Sequence, residues 1–226
     1  MLHYLEEELD RLKEKIIKMG SLVEEQIDFS FKALFNGDLE LAQTVIDRDD
    51  EVDKFDLKID KHCQRIFALT QPVAFDLRLI MSSLMINSDL ERMGDISVNV
   101  AERVKVLKGH AELLRKMRVN EMAEKVRKIV KMSIDCFVNG DAELAKSVIN
   151  FDEEIDNLDR LIFNLLTEEM MINNNIIVPC CHILSLVTNI ERLSDHATNI
   201  AEDVIFLIDA KMVKHSKDPE NLKPKE

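Results

Sequence analysis

Eight carboxylates in this chain fall into a pattern that could bind cations. Asp49 and Asp53, Glu91 and Asp95, Asp152 and Asp156, and Glu191 and Asp195 are each four residues apart, the spacing that puts two side chains on one face of a helix. If such pairs meet on a core-facing line, they cannot all stay ionised alone, because an unpaired buried charge costs several kcal/mol. They must share protons, recruit Lys or Arg, or bind cations. Arg92 and Arg192 lie about 100° around the helix from the neighbouring Glu, and no Lys repeats on the stripe, which favours a cation. A shell of carboxylates with an Asn selects oxygen-seeking ions: iron, manganese, magnesium or calcium, with zinc also within range.

Spacing alone is weak support. With acids at about a fifth of positions, about eight such pairs arise by chance, mostly on solvated faces. Two geometric features lift these four. The apolar line Leu77, Ile80, Leu84 runs into Glu91, Asp95, Asn99 and Glu102, and Ile177, Cys180, Leu184 into Glu191, Asp195, Asn199 and Glu202. Likewise Val45 and Ile46 lead to Asp49, Asp53 and Asp56, and Val148 and Ile149 to Asp152, Asp156 and Asp159. The second feature is register. A hairpin bend at Pro72 sets Asp49 opposite Asp95 and Asp53 opposite Glu91. A bend within Asn173-Asn174-Asn175 does the same for Asp152 with Asp195 and Asp156 with Glu191.

Long helices must carry these stripes. Leu5, Leu9, Leu12, Ile16, Met19, Val23 and Ile27 recur every three or four residues, the period of an amphipathic helix. Asn36-Gly37 closes that helix and Asp38 caps the next. The second runs to about Thr70 and stops at Gln71-Pro72. A third continues to Lys108-Gly109. The pattern then restarts: Asn36-Gly37-Asp38-Leu39-Glu40-Leu41-Ala42 returns as Asn139-Gly140-Asp141-Ala142-Glu143-Leu144-Ala145, and Glu91-Arg92-Met93-Gly94-Asp95 as Glu191-Arg192-Leu193-Ser194-Asp195. The expected fold is all-α, two tandem three-helix bundles over residues 1–110 and 111–213, followed by a flexible tail at 214–226.

Composition excludes several classes. Five Gly and four Pro in 226 residues leave little room for the turns of β or doubly wound folds. A formal charge of -13 disfavours nucleic acid. No apolar run approaches a membrane span, and the acidic N-terminus does not read as a signal peptide, so the chain is expected to be cytoplasmic. Cys63, Cys136, Cys180 and Cys181 lack paired spacing and are expected as reduced core thiols. The eleven Met are expected mainly as core fillers. His182 is the one His expected near an apolar face. Catalysis has little support: Glu-x-x-His, nucleotide-binding glycine motifs and an assembled triad are all absent. A carboxylate-bridged multinuclear metalloenzyme stays open as the rival reading. No anion nest is readable. The stretch Gln71 to Arg78, with Asp76, has no equivalent in the second half and reads either as a helix start or as a partner surface formed by Gln71, Asp76 and Arg78.

Gln71-Pro72, Asp76-Leu77-Arg78, Asp89-Leu90-Glu91-Arg92-Met93-Gly94-Asp95 and the second Glu191-Arg192-Leu193-Ser194-Asp195 together resemble the PhoU family of bacterial phosphate-uptake and phosphate-signalling regulators, across both repeats. The resemblance implies multinuclear iron or zinc clusters on the bundle surface, with Asp49, Asp53, Glu91, Asp95, Asp152, Asp156, Glu191 and Asp195 as ligand candidates. It also implies a non-enzymatic, homodimeric adaptor between a phosphate ABC transporter and a sensor histidine kinase. Such an adaptor reaches the membrane only through its partners and lowers the phosphate-starvation response when phosphate is plentiful.

Overall fold

The computed structural model describes residues 2–213, and the expected flexible tail at 214–226 lies outside the described residues. Seven α-helices and no strand make up the described chain: α1 (Leu2–Asn36), α2 (Leu39–Leu69), α3 (Ala74–Leu107), α4 (Ala111–Lys116), α5 (Val119–Asn139), α6 (Ala142–Ile172) and α7 (Ile177–Asp209). A single 3-10 turn, Asn174–Ile176, precedes α7. Helices α1–α3 form one bundle and α5–α7 the other, with the short α4 between them. Arg118 separates α4 from α5 in the left-handed region at φ 61°.

The internal repeat is legible as local chemistry. Gly37 and Gly140 take φ of +63° and +62°, closing α1 and α5. The next residue caps the next helix. Asp38 accepts from the Glu40 and Leu41 amides at 3.1 and 3.0 Å, and Asp141 accepts from the Glu143 and Leu144 amides at 3.0 and 2.9 Å. Every residue of the α1 apolar stripe from Leu5 to Ile27 is buried. The bend between α2 and α3 falls at Thr70–Val73, where Pro72 lacks the amide a continuing helix requires.

Helices α3 and α7 form the seam between bundles, and they run antiparallel. Arg78 Nε donates to the Leu207 carbonyl at 3.1 Å and Ser82 Oγ to the Asp203 carbonyl at 3.2 Å. His196 Nδ1 lies 2.8 Å from Asp89, and Arg103 reaches His182 Nδ1 at 3.3 Å and Ser185 Oγ at 3.2 Å. In Arg78–Leu207, Ser82–Asp203, Asp89–His196 and Arg103–His182 one residue number rises as the other falls by the same amount. That constant register sets the middle of Glu91–Asp95 level with the middle of Glu191–Asp195. Helices α1 and α5 also touch, where a Cβ on Gly20 would stand 3.2 Å from Ile134 and where Arg127 lies 5.4 Å over the Phe31 ring.

Three expectations are corrected. The stretch Asn174–Asp209 is long and apolar enough to cross a membrane by length and composition, with a mean hydropathy of 1.4 in its most apolar window. Helix α7 packs against α3, α5 and α6, and 33% of that window is buried. His62 is buried at 6% exposure whereas His182 is half-buried. Burial of His62 depends on a partner in α1, outside the range of any local pattern. Among the methionines Met19, Met93, Met117 and Met122 are core, but Met81, Met85 and Met171 are exposed. All four cysteines are free. Cys63, Cys136 and Cys180 are buried and Cys181 is exposed. Burial pushes the Cys63 and Cys136 thiols up to about 12, so neither is a reactive thiolate.

Candidate functional site

The two acidic stripes lie where α2 meets α3 and where α6 meets α7. Each pairing implied by the hairpin register is an electrostatic neighbour pair. Burial first, and then the charges of Asp53, Asp95 and Asp50, push the Asp49 carboxyl up to about 6. Glu91 is raised by burial and by Asp95, Asp56 and Asp53, with only Arg92 opposing. In the second bundle burial, followed by Asp195, Asp159, Asp156 and Asp152, pushes Glu191 up to about 7. Asp152 and Asp195 are raised chiefly by burial, and both feel Asp156. Each knot therefore holds more negative charge than its surroundings compensate.

The core-facing placement is corrected. None of the eight carboxylates is fully buried, and Asp53, Asp95 and Asp195 are exposed. The buried layer beneath them belongs to Val52, Met93 and Gly94 in the first bundle and to Ile155, Leu193 and Ser194 in the second, so the carboxylates ride on the rim of each helix pair. Asn99 and Glu102 are exposed, and Glu202 is half-buried. Asn199 leaves its stripe, donating from Nδ2 to Asp89 at 3.2 Å across the seam.

The donor set suits a hard cation. In the first bundle a Cβ on Gly94 would stand 3.4 Å from both Asp49 Oδ1 and Gln26 Oε1. Gln26, from α1, is 1% exposed, and neither its Oε1 nor its Nε2 has a hydrogen-bond partner. An unpartnered buried amide beside a carboxylate of raised proton affinity is a pair of oxygen donors lacking a positive partner. Among the described residues, no three His, Cys, Asp or Glu side chains stand close enough to hold one ion together.

The second bundle differs at one atom. Ser194, fully buried where the first bundle has Gly94, donates its hydroxyl to Asp152 Oδ1. That bond lowers the Asp152 carboxyl against the burial that raises it. Ser194→Ala is expected to cost about 1 kcal/mol of stability, the ordinary net value of one such bond, and to raise Asp152 further. Urea denaturation and carboxyl titration by NMR measure the two effects.

Sequence reasoning did not single out Gln26, Ser194 or Asn87, whose Nδ2 donates to Asp56 Oδ1 at 2.6 Å. The repeat did place Gly94 and Ser194 at equivalent positions, and that mismatch was the available signal. At the proposed partner surface, Gln71 is exposed and Asp76 half-buried. Arg78 is taken up by the Leu207 carbonyl and by the Phe75 ring, 5.8 Å away, so it braces the bundle seam.

Residues 16–104 and 119–204 each match the family model described as the PhoU domain. Phosphate-specific transport system accessory protein PhoU homologs from Rhizobium meliloti and Aquifex aeolicus are each 39% identical to this chain. The first alignment covers 89% of this chain and 86% of the relative, the second 92% and 94%. The crystal structure of PhoU from Pseudomonas aeruginosa superposes with a TM-score of 0.85 at 35% identity, over 91% of this chain and 99% of that one. That of the phosphate transport system regulatory protein PhoU from Streptococcus pneumoniae gives 0.82 at 27%, over 92% and 99%.

Proposed function

The chain belongs to the PhoU family, and on that premise we propose that it is a non-enzymatic accessory protein of a phosphate-specific transport system. It works in the cytoplasm, as a homodimer, and lowers the phosphate-starvation response by linking the transporter to a sensor histidine kinase. Support for the transport role comes from relatives over 86% or more of whose length this chain aligns and whose names state it. The hairpin end of the first bundle is the docking face. Leu69, Val73, Phe75 and Leu77, on either side of Gln71 in the chain, are all exposed there, and exposed apolar side chains gathered at one end of a bundle are what partners cover.

The acidic stripes take up metal in this reading, iron or zinc in multinuclear clusters, with manganese, magnesium and calcium sharing the donor preference. Asp49, Asp53, Glu91 and Asp95 hold it in the first bundle, with Asp152, Asp156, Glu191 and Asp195 in the second. A bound cation supplies positive charge and a cross-link between two helices. The observation that carries this is the crowding of carboxylates on each rim, where burial first and then the neighbouring carboxylates push Asp49 and Glu191 up to about 6 and 7. The protein's own residues contribute position: Val52 and Met93 pack below the rim, and Gln26 offers an unpaired carbonyl. The bundles are unequal, because Ser194 already satisfies part of Asp152.

Metal content and partner binding test the two halves of the proposal separately. Mass-spectrometric elemental analysis of natively purified protein should find at least one iron or zinc per chain. Asp49→Asn/Asp95→Asn should lower the amount, and Asp152→Asn/Asp195→Asn should lower it less. Metal-free native protein, or no change in either variant, contradicts the metal assignment. A transporter ATPase subunit should be retained by immobilised protein and released by Val73→Asp/Phe75→Asp; equal retention by both contradicts the docking face.

A further inference from the structure

Near the α2–α3 bend of the first bundle, α1 and α2 flank an open cleft of about 400 Å³ lined by Glu8, Arg11, Lys15, Lys58, Lys61, His62 and Arg65. We infer that this cleft is a binding site for a multiply charged phosphate-type oxyanion, separate from the acidic stripes.

The charge balance carries the inference. In a chain of net charge -13, five cationic side chains converge here on one carboxylate. Glu8 lies in the floor, 2% exposed, and accepts from Arg11 Nη1 at 2.7 Å and from His62 Nε2 at 2.9 Å. The other ring nitrogen, His62 Nδ1, faces Lys15 Nζ at 2.9 Å. An ammonium can only donate, so Nδ1 accepts, the proton sits on Nε2 and the ring is neutral. Glu8 is thereby satisfied by two donors, and Arg11 also has Glu7 at 3.8 Å.

Lys58, Lys61 and Arg65 make no ion pair among the described residues, and Arg65 feels the Glu8 charge only from beyond contact. Lys58 lies 5.2 Å over the Phe55 ring, and Arg65 donates to the Tyr4 hydroxyl at 3.2 Å. The crowding is felt at Lys15. Burial lowers its proton affinity, and the Arg65 and Lys58 charges add to that against the opposing pull of Glu8 and Cys63.

The helix pair does not need these cations in order to pack. At the equivalent places of α6, Leu161, Asn164, Leu165 and Glu168 stand where α2 has Lys58, Lys61, His62 and Arg65, while Ile59 and Ile162 are fully buried alike. The cationic set is an addition to the repeat, confined to one bundle.

The lining selects the ligand class. Every lining residue is charged or polar, so donors face the space from both helices. Three ammonium groups and two guanidinium forks offer donors in excess, which suits an anion with several oxygens on one centre. The volume admits one phosphate with its waters, or a short phosphate chain. Inorganic phosphate and the phosphate chain of a nucleotide share this chemistry.

Calorimetric titration of chelator-treated full-length protein with inorganic phosphate, pyrophosphate and ATP, in 0.15 M salt, is the test. Saturable one-site binding is expected. It should weaken at least tenfold in Lys58→Gln/Lys61→Gln, whose side chains are exposed and make no ion pair among the described residues and whose thermal midpoint serves as the folding control. Lys105→Gln/Lys128→Gln, which removes the same charge from exposed positions outside the cleft, should bind as the wild type does. Binding of similar strength for all three ligands assigns the site to free phosphate, and binding only of pyrophosphate and ATP assigns it to a phosphate chain. No saturable binding of any of the three overturns the inference, as does binding that the Lys58→Gln/Lys61→Gln variant leaves unchanged.

Discussion

Metal-free protein should melt higher as the pH is lowered from 8 to 5.5, and a bound cation should flatten that profile. The sign follows from linkage. Asp49 and Glu191 titrate at about 6 and 7 in the folded chain, above their ordinary 3.8 and 4.5. A folded state that holds protons more tightly than the unfolded one gains stability as protons are supplied. The gain begins as the pH falls through 7 and is complete only below the unfolded values. Glu91, Asp152 and Asp195 are shifted in the same direction. Buried His62 opposes them: burial lowers its proton affinity, so its contribution is present above 6.5 and is lost on acidification. One ring set against several carboxylates does not reverse the trend. After allowance for solvent screening at the rim, the midpoint should rise by about 3–6 °C, corresponding to roughly 1–2 kcal/mol in a chain of this size.

Substitution and metal then act in opposite directions. Asp49→Asn and Glu191→Gln remove the repulsion, so without metal at pH 8 each should melt at or above the wild type. With zinc or iron at about 100 times its dissociation constant, the wild type gains about 2.7 kcal/mol and should overtake both variants. Differential scanning calorimetry with and without chelator measures the crossing. Variants that melt below the wild type in both conditions indicate that the carboxylates stabilise the fold by themselves, and the cation-site reading then fails.

Patterns confined to one helix, or to one hairpin, were legible before any coordinates. The stripe from Leu5 to Ile27, the Gly37 and Gly140 closures, the Asp38 and Asp141 caps and the bend at Pro72 each depend on residues within a few positions of one another. The opposition of Asp49 with Asp95 extended that reach across a hairpin, because two straight helices and one bend leave a single free parameter. Contacts between helices from different hairpins were illegible. Gln26 under Gly94, Asn199 on Asp89, and Arg78 on Leu207 depend on how α1 settles over α2 and α3 and how α7 slides along α3. Apolar periodicity sets the face of each helix but only loosely its axial position. The cationic cleft falls between these cases. Arg11 and Lys15 are four residues apart, and Lys58, Lys61 and Arg65 follow at three and four, so each half shares a helical face. Neither half identifies the other, and a basic stripe on a solvated helix is ordinary.

Glu8→Ala should be the most damaging single change outside the apolar core, at about 3 kcal/mol in urea denaturation. The carboxylate is buried at the floor of the cleft, and burial would push it up. The hydrogen bond from His62 and the charges of Arg65 and Arg11 outweigh that and hold it below the usual range. Its contribution is therefore present above the ordinary 4.5 and lost as the pH falls through its lower folded value. Truncation strands the His62 Nε2 donor, leaves Arg11 with Glu7 alone and Lys15 facing only cations, and removing one member of a buried pair costs about 3–5 kcal/mol. The lower end applies because the cleft is open to water on one side. Removing both partners is a different experiment. Glu8→Leu/His62→Leu leaves no stranded donor, and Leu165 already occupies the place of His62 in the second bundle, so most of the loss should be recovered. An anion in the cleft supplies part of the missing negative charge, so phosphate should raise the midpoint of Glu8→Ala more than that of the wild type. A loss below about 1 kcal/mol for Glu8→Ala, or a double variant as unstable as the single, means that the pair is an ordinary surface contact and that the cleft floor does not position the cations around it.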